Sequence, residues 1–310
     1  MSCLVAGINN LAIDVLVEES TLVQANGKSY ASLKVKYEDR SYNCKRWNYN
    51  SDVPDKGSVI KIYGRTDSYQ GTISIIISAW EPSDRSPLEF VKVAPIDRNI
   101  GYTDLLDAVD NIVSESKRDF ILTILEENRE AILEAPAAVS MHHDYVGGYL
   151  QHTLEVLANA RSLCTTPLMY NCSSYDISLV IMGAILHDIG KLKAYAIESG
   201  LPVMTLEGQL YDHIVLGAMM LEDYRKKCNL AEEDMTWFRK LVHIVLSHHG
   251  ELEYGSPVKP AFPEAFIVSQ ADMISAKLNR MDTEMEEMTE PFQSKKSFMF
   301  GTRLYNSDIE

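Results

Sequence analysis

The stretch AILHDIGKL, residues 184–192, decides how the second half of this chain is read. An apolar run ends in the adjacent pair His187 and Asp188, passes Gly190 and adds Lys191. A packed core gains nothing from two neighbouring side chains of that kind, whereas a metal site needs them. In DISLVIMGAILHDIG, residues Ile177, Val180, Ile181, Ala184 and Asp188 follow the i, i+3/i+4 rhythm of a helix over 176–189. His187 and Asp188 then fall at the inner edge of its last turn, with Gly190 expected in the left-handed position beyond it. WFRKLVHIVLSHHG repeats the design: Leu241, Val242 and Val245 make the apolar face, His248 and His249 end the helix, and Gly250 follows. Helix C-termini carry roughly half a negative charge, so two such ends aimed at one place favour a cation.

All eight histidines lie between residues 142 and 249. His152 shares a predicted helix face with Val156 and Asn159, and His213 shares one with Leu216, Gly217 and Met220. In PEAFIVSQADMISAKL, Asp272 sits on the face of Ala265, Val268 and Ala276, where a buried carboxylate needs a partner. His243 is mid-helix on a different face from His248 and is left out. His152, His187, Asp188, His213, His248, His249 and Asp272 are thus seven N/O ligands. That is more than one ion takes, so two divalent ions bridged by Asp188 are expected. Imidazole and carboxylate without thiolate suit Mn²⁺, Fe, Zn²⁺ or Co²⁺ better than Mg²⁺.

The remainder of the chain has a different character. With 310 residues and 46% hydrophobic content, the chain has the length of about two globular domains. It shows no run of membrane-spanning length, and MSCLVAGINN lacks the pattern of a secretory signal. Five scattered cysteines without a CxxC pair suit a reducing cytoplasm. LAIDVLVEE, SYASLKVKYED, SYNCKRWNY, SVIKIYGRTD and TISIIISAW read as five short strands punctuated by turns. Five strands in so short a stretch suit a small barrel of the OB type, with an SH3-like barrel as the alternative.

Net charge is −15, which argues against a general nucleic-acid coat. Yet residues 28–65 hold nine basic and four acidic side chains. There Lys34, Lys36, Lys45, Arg46 and Arg65 interleave with Trp47, Tyr63 and other aromatics, a combination that tracks phosphates and stacks bases of single strands. The expected organisation is a nucleic-acid-binding barrel over 1–82, a proline-bearing linker over 83–102, a helical domain over 103–285 and a tail over 286–310. TDLLDAVDNIVSESKRDFILTILEENREAILEA reads as helical from an N-cap at Thr103.

The order H…HD…H…HH…D resembles the HD-domain metal-dependent phosphohydrolases. The runs PAAVSMHHDYVGGYLQHTLEVL, ILHDIGKL and SHHGELEYGSPVKPAFPEAFIVSQADMISAKL are similar to the YhaM-type 3′→5′ exoribonucleases, which join an N-terminal OB-fold to a C-terminal HD domain. The likeness runs from about residue 10 to 282. Gln270 and Ala271 depart from the family pattern before Asp272. The resemblance implies an all-helical HD domain, a first metal site of His152, His187, Asp188 and Asp272, and a second of His213, His248 and His249. It also implies Mn²⁺ as the usual ion and Lys191 as a contact to phosphate or leaving oxygen. The expected activity is hydrolysis of single-stranded RNA, and of DNA as a second substrate, to nucleoside 5′-monophosphates; a homo-oligomer is a family-level expectation only. His143, just before Asp144 and the Gly147–Gly148 pair, is read as touching the scissile phosphate or terminal nucleotide. Two alternatives stand beside this: an HD-type phosphohydrolase of nucleotides or cyclic dinucleotides, and a non-catalytic RNA-binding protein with a structural metal site.

Overall fold

The computed structural model describes residues 4–309 apart from 26–27, 39, 70–71, 91, 140–142, 166–174, 199–200, 287 and 294. It divides into two compact units, Met1–Lys92 with Glu198–Leu201 and Glu287–Glu310, and Val93–Ile197 with Pro202–Glu286. Among the described residues no helix is long and apolar enough to cross a membrane.

The first unit is built on β1 (Leu11–Ala25), β2 (Lys28–Tyr37), β3 (Arg40–Trp47), β4 (Val59–Tyr69) and β5 (Thr72–Pro82). They close into a barrel in the order β1-β2-β3-β5-β4, with β3 and β5 parallel and β4 returning to β1. This is the five-stranded barrel of the OB type. Closure depends on β1. Its first half, Leu11 to Leu16, pairs with β4 and its second half pairs with β2. A bulge between Val17 and Glu19 supplies the bend between those halves. Alternation fills the interior with Val15, Val17, Leu33, Val35, Cys44, Ile62 and Ile75, all buried. Gly64 marks a register shift between β4 and β5, where a Cβ would lie 2.2 Å from the Ile76 carbonyl oxygen.

The second unit is helical: α1 (Arg98–Asp110), α2 (Glu115–Glu127), α3 (Arg129–Glu134), α4 (Gly148–Thr165), α5 (Ile177–Leu186), α6 (Lys191–Ala194), α7 (Leu206–Lys227), α8 (Met235–Ser247) and α9 (Pro263–Glu286). A two-stranded sheet of β6 (Tyr195–Glu198) and β7 (Leu201–Met204) interrupts the expected all-helical run. The helix anticipated from Thr103 differs too. It starts at Arg98, inside the stretch read as linker, and its cap is Asp97, which accepts from the N–H groups of Asn99 and Ile100 at 2.9 and 3.1 Å. Thr103 instead donates its hydroxyl to the Asn99 carbonyl. The predicted single periodic stretch is three helices. The apolar rhythm crosses the breaks because Leu105, Val109, Ile112, Phe120, Ile124 and Ile132 all enter one core.

α5 is buried on every side from Leu179 to Leu186, which makes it the central helix of the unit. It packs against α4, α8 and α9. Gly183 allows this crowding, since a Cβ there would meet Ile244 and Val268 at 3.0 to 3.1 Å.

Candidate metal centre

Five elements deliver the seven anticipated ligands to one buried place. His187 and His248 occupy the C-cap positions of α5 and α8, where the chain leaves each helix. Asp188 follows His187, His152 rides on α4, Asp272 on α9 and His213 on α7. Gly250 has φ +80, the left-handed turn expected after α8. Gly190 does not: its φ of −64 is right-handed. Space rather than conformation requires glycine there. A Cβ at 190 would lie 1.9 Å from the His213 carbonyl oxygen and 2.4 Å from the Gly217 nitrogen.

Asp188 is the middle of the cluster. Its Oδ2 lies 3.3 Å from His152 Nε2 and 3.2 Å from His187 Nε2, with the Lys191 ammonium at 2.6 Å. Its Oδ1 faces the other way, 3.4 Å from His213 Nε2 and 3.3 Å from His248 Nε2. Asp272 Oδ1 closes the first group, 3.1 Å from His152 Nε2. The ligand atoms of His152, His187, Asp188 and Asp272 lie within 4.8 Å of one another, as do those of His213, His248 and His249. One carboxylate therefore turns an oxygen toward each of two ligand sets.

The imidazoles share an orientation. His187 Nδ1 lies 2.9 Å from the Ala184 carbonyl, His248 Nδ1 2.7 Å from that of Val245, and His249 Nδ1 2.8 Å from that of Tyr254. His213 Nδ1 is 2.5 Å from Asp212 Oδ1, and His152 Nδ1 is 2.9 Å from Ser275 Oγ. With Nδ1–H donated outward, Nε2 keeps its lone pair for the centre, the arrangement usual for histidine ligands. The buried Asp188 Oδ1, His213 Nε2 and His248 Nε2 make no hydrogen bond. Buried polar atoms left so are costly, and divalent cations satisfy all three at once. The donor set fits the metal that the chemistry implies.

Electrostatics agree. Burial pushes the pKa of His213, His248 and His249 below the ordinary imidazole value and keeps them neutral. Burial alone would raise Asp188, but Lys191 and His187 hold it well below the usual carboxylate range. His152 is displaced upward: burial lowers it, and the carboxylates of Asp188 and Asp272 outweigh that.

These shifts set an expected pH profile for the metal-free protein. The depressed histidines, with His143 among them, bind more protons when unfolded, so their stabilisation is present above about 6.5 and is lost as pH falls below it. His152, displaced upward, contributes fully below that value. The depressed carboxylates are unaffected until lower pH. Between pH 6.5 and 5 the thermal midpoint should therefore fall; a flat profile would contradict neutral buried imidazoles.

His143 stands beside His152, with ring centroids 5.3 Å apart. It is buried at φ 49, and its Nε2 lies 3.2 Å from Glu155 Oε1. The adjacent glycines serve this turn itself. Gly147 takes φ +76, and a Cβ on Gly148 would lie 2.0 Å from the His143 carbonyl oxygen. The neighbouring His142 lies outside the described residues. His243, set aside from the sequence, accepts from the Ala261 N–H at 3.2 Å and stays apart from the ligand sets. Glu155, Ser275 and Asp212 were not anticipated. Glu155 and Ser275 each stand three residues beyond a ligand on the same helix, which was the only available signal.

In the barrel, the basic and aromatic strip separates into parts. Tyr30 and Trp47 pair across β2 and β3 with ring centroids 4.9 Å apart, and Lys45 lies 5.6 and 5.3 Å from those rings. Trp47 is 53% exposed. Lys34 and Lys36 continue along the same outward-facing positions of β2, with Lys34 3.7 Å from Glu18. Arg46 lies 4.4 and 4.5 Å from the Tyr49 and Trp80 rings, a packed position unlike its neighbours. Tyr63 donates to Glu81 across β4 and β5, and Arg65 is exposed on β4, a strand that does not pair with β2 or β3.

Residues 149–277 match the family model of the HD domain, and this part of the chain is an HD domain. Over nearly its whole length the chain is similar to proteins named 3′-5′ exoribonuclease YhaM. It is 28% identical to that of Bacillus licheniformis, covering 95% of this chain and 94% of the relative. It is 27% identical to that of Bacillus subtilis, covering 94% and 92%. Among solved structures, the second OB-fold domain of replication protein A from Methanococcus maripaludis aligns with 26% of this chain and 91% of its own, at 16% identity and a TM-score of 0.23.

Proposed function

We propose that this protein is a cytoplasmic, metal-dependent 3′→5′ exoribonuclease that shortens single-stranded RNA to nucleoside 5′-monophosphates. The observation that carries the reading is Asp188, with Oδ2 toward one ligand set and Oδ1 toward a second. The names of its full-length relatives supply the substrate class. Mn²⁺ is the ion this donor set is proposed to hold, with His152, His187, Asp188 and Asp272 on one side and His213, His248 and His249 on the other, sharing Asp188. When bound, such ions make water nucleophilic at neutral pH and offset charge on the phosphoryl oxygens.

The chain's own residues do the rest. In the reaction the water oxygen bonds to phosphorus, the P–O3′ bond breaks and the 3′ oxygen takes a proton. Asp188 orients Lys191 at 2.6 Å, setting an ammonium beside the centre to meet a phosphate oxygen or the leaving 3′ oxygen. Neutral imidazoles at His213, His248 and His249 offer lone pairs without competing protons. His143 bears on the reaction through Glu155 and its neighbours, a positioning role.

The barrel, proposed to span 1–82, supplies grip. Tyr30 and Trp47 offer stacking faces, and Lys45, Lys34 and Lys36 a track for phosphates. Stacking is worth about 1–3 kcal/mol per base, so Trp47→Ala should weaken single-stranded RNA binding by roughly 5- to 150-fold. Its hydrolysis of bis(p-nitrophenyl) phosphate, a phosphodiester with no base to stack on Trp47, should stay unchanged. Equal loss with both substrates would contradict this division of labour. The activity itself is tested with 5′-labelled RNA and Mn²⁺. A ladder that shortens from the 3′ end is expected, and absence of cleavage with every divalent ion rejects the proposal.

A further inference from the structure

The histidines of the centre hold their Nδ1 atoms in unequal ways. Three donate to backbone carbonyls of their own helix end or loop. His152, which sits within α4, does not. Its Nδ1 meets instead the hydroxyl of Ser275 on α9 at 2.9 Å. That hydroxyl donates to Glu155 Oε2 at 2.6 Å, one turn along α4 from His152. Since a hydroxyl has one proton, a Ser275 that donates to Glu155 must accept from His152. The chain of donors runs His152 Nδ1–H to Ser275 to Glu155, and it admits one neutral tautomer, with the lone pair on Nε2.

Glu155 is itself pinned. Gln151 Nε2 donates to its Oε1 at 2.9 Å, and His143 Nε2 stands 3.2 Å from the same oxygen. The His143 backbone N–H is in turn held by Asn279 Oδ1 at 3.1 Å. Ser275 and His152 are fully or nearly fully buried, so water does not substitute for either partner.

We propose that Ser275 and Glu155 form a positioning relay that selects the metal-binding tautomer of His152 and thereby sets the affinity of the first ion site, although neither touches the ion. The inference rests on the metal reading above and adds two residues outside the ligand set. Loss of such outer partners typically weakens metal binding about 10- to 100-fold.

The test is calorimetric titration of the metal-free full chain with Mn²⁺, with thermal midpoints measured alongside. Ser275→Ala, a small change that leaves room, should weaken one of the two binding events by about 10- to 100-fold. Ser275→Thr, which keeps the hydroxyl, should restore most of it. Glu155→Gln should weaken the same event, because an amide can offer its own donor to Ser275 and free the hydroxyl to point at Nδ1. Zn²⁺-loaded protein labelled with ¹⁵N-histidine gives a second readout: His152 should show a protonated Nδ1 in the wild type. Wild-type affinity in Ser275→Ala or in Glu155→Gln overturns the relay, as does Ser275→Thr binding no better than Ser275→Ala. A wild-type chain that takes up no divalent ion overturns the metal reading and this inference with it.

Discussion

Asp188→Asn will silence hydrolysis while leaving RNA bound. The substitution keeps shape but removes the charge between the two ligand sets and replaces one acceptor oxygen by an amide donor. In the structure one oxygen faces His152 and His187 and the other faces His213 and His248, so both sets lose their shared carboxylate together. Metal ions contribute several kcal/mol to such displacements, and each 1.36 kcal/mol is a factor of ten. Activity should fall by about a thousandfold or more. Ion content should fall from the proposed two per chain. Binding of single-stranded RNA, proposed to run through Tyr30, Trp47 and Lys45, should persist, which separates loss of the centre from loss of the protein. The buried Lys191 also loses its partner, and breaking a buried pair costs about 3–5 kcal/mol, so the metal-free variant should melt earlier. Measurable turnover near the wild-type rate would remove Asp188 from the centre of the account.

Gly190→Ala will have the next largest effect, by a route with no chemistry in it. The φ of −64 suits alanine well, so conformational strain is not the cause. The added methyl would stand 1.9 Å from the His213 carbonyl oxygen and 2.4 Å from the Gly217 nitrogen. Both are backbone atoms of α7 and cannot rotate away. Either the turn after Asp188 or the helix carrying His213 must move, and they hold opposite sides of the centre. Overpacking of this kind costs about 1–3 kcal/mol and at times more, with several degrees off the thermal midpoint. The ion proposed to sit among His213, His248 and His249 should bind more weakly than the one proposed at the other set. A variant with the wild-type midpoint and two tightly held ions would show that α7 yields freely there.

The ends of α5 and α8 were legible in the sequence because local chemistry and periodicity coincide at them. His187 and His248 close apolar helices, and each has glycine shortly beyond. The barrel was legible through alternation, as in Leu33 and Val35 inward with Lys34 and Lys36 outward. What escaped depends on contacts between elements. Glu155 on a helix reads as a solvated charge until α4 and α9 are placed side by side with Ser275 against it. Asp212 sits at φ 59 inside α7, a conformation no spacing rule announces, and there it holds His213. The breaks in the first helical stretch were hidden for a related reason. Asn111 ends α1 by donating its side chain to the Asp107 carbonyl, while Ile112 keeps the apolar rhythm in phase. The division of the basic strip, with Arg46 packed between Tyr49 and Trp80 and Arg65 away on β4, follows from strand order, which composition does not encode.

The most direct measurement is anomalous diffraction from crystals of the full chain grown with Mn²⁺. Two peaks are expected, one against each oxygen of Asp188, the first among His152, His187 and Asp272 and the second among His213, His248 and His249. A single peak, or two that do not share Asp188, would contradict the bridging carboxylate on which the proposed chemistry depends.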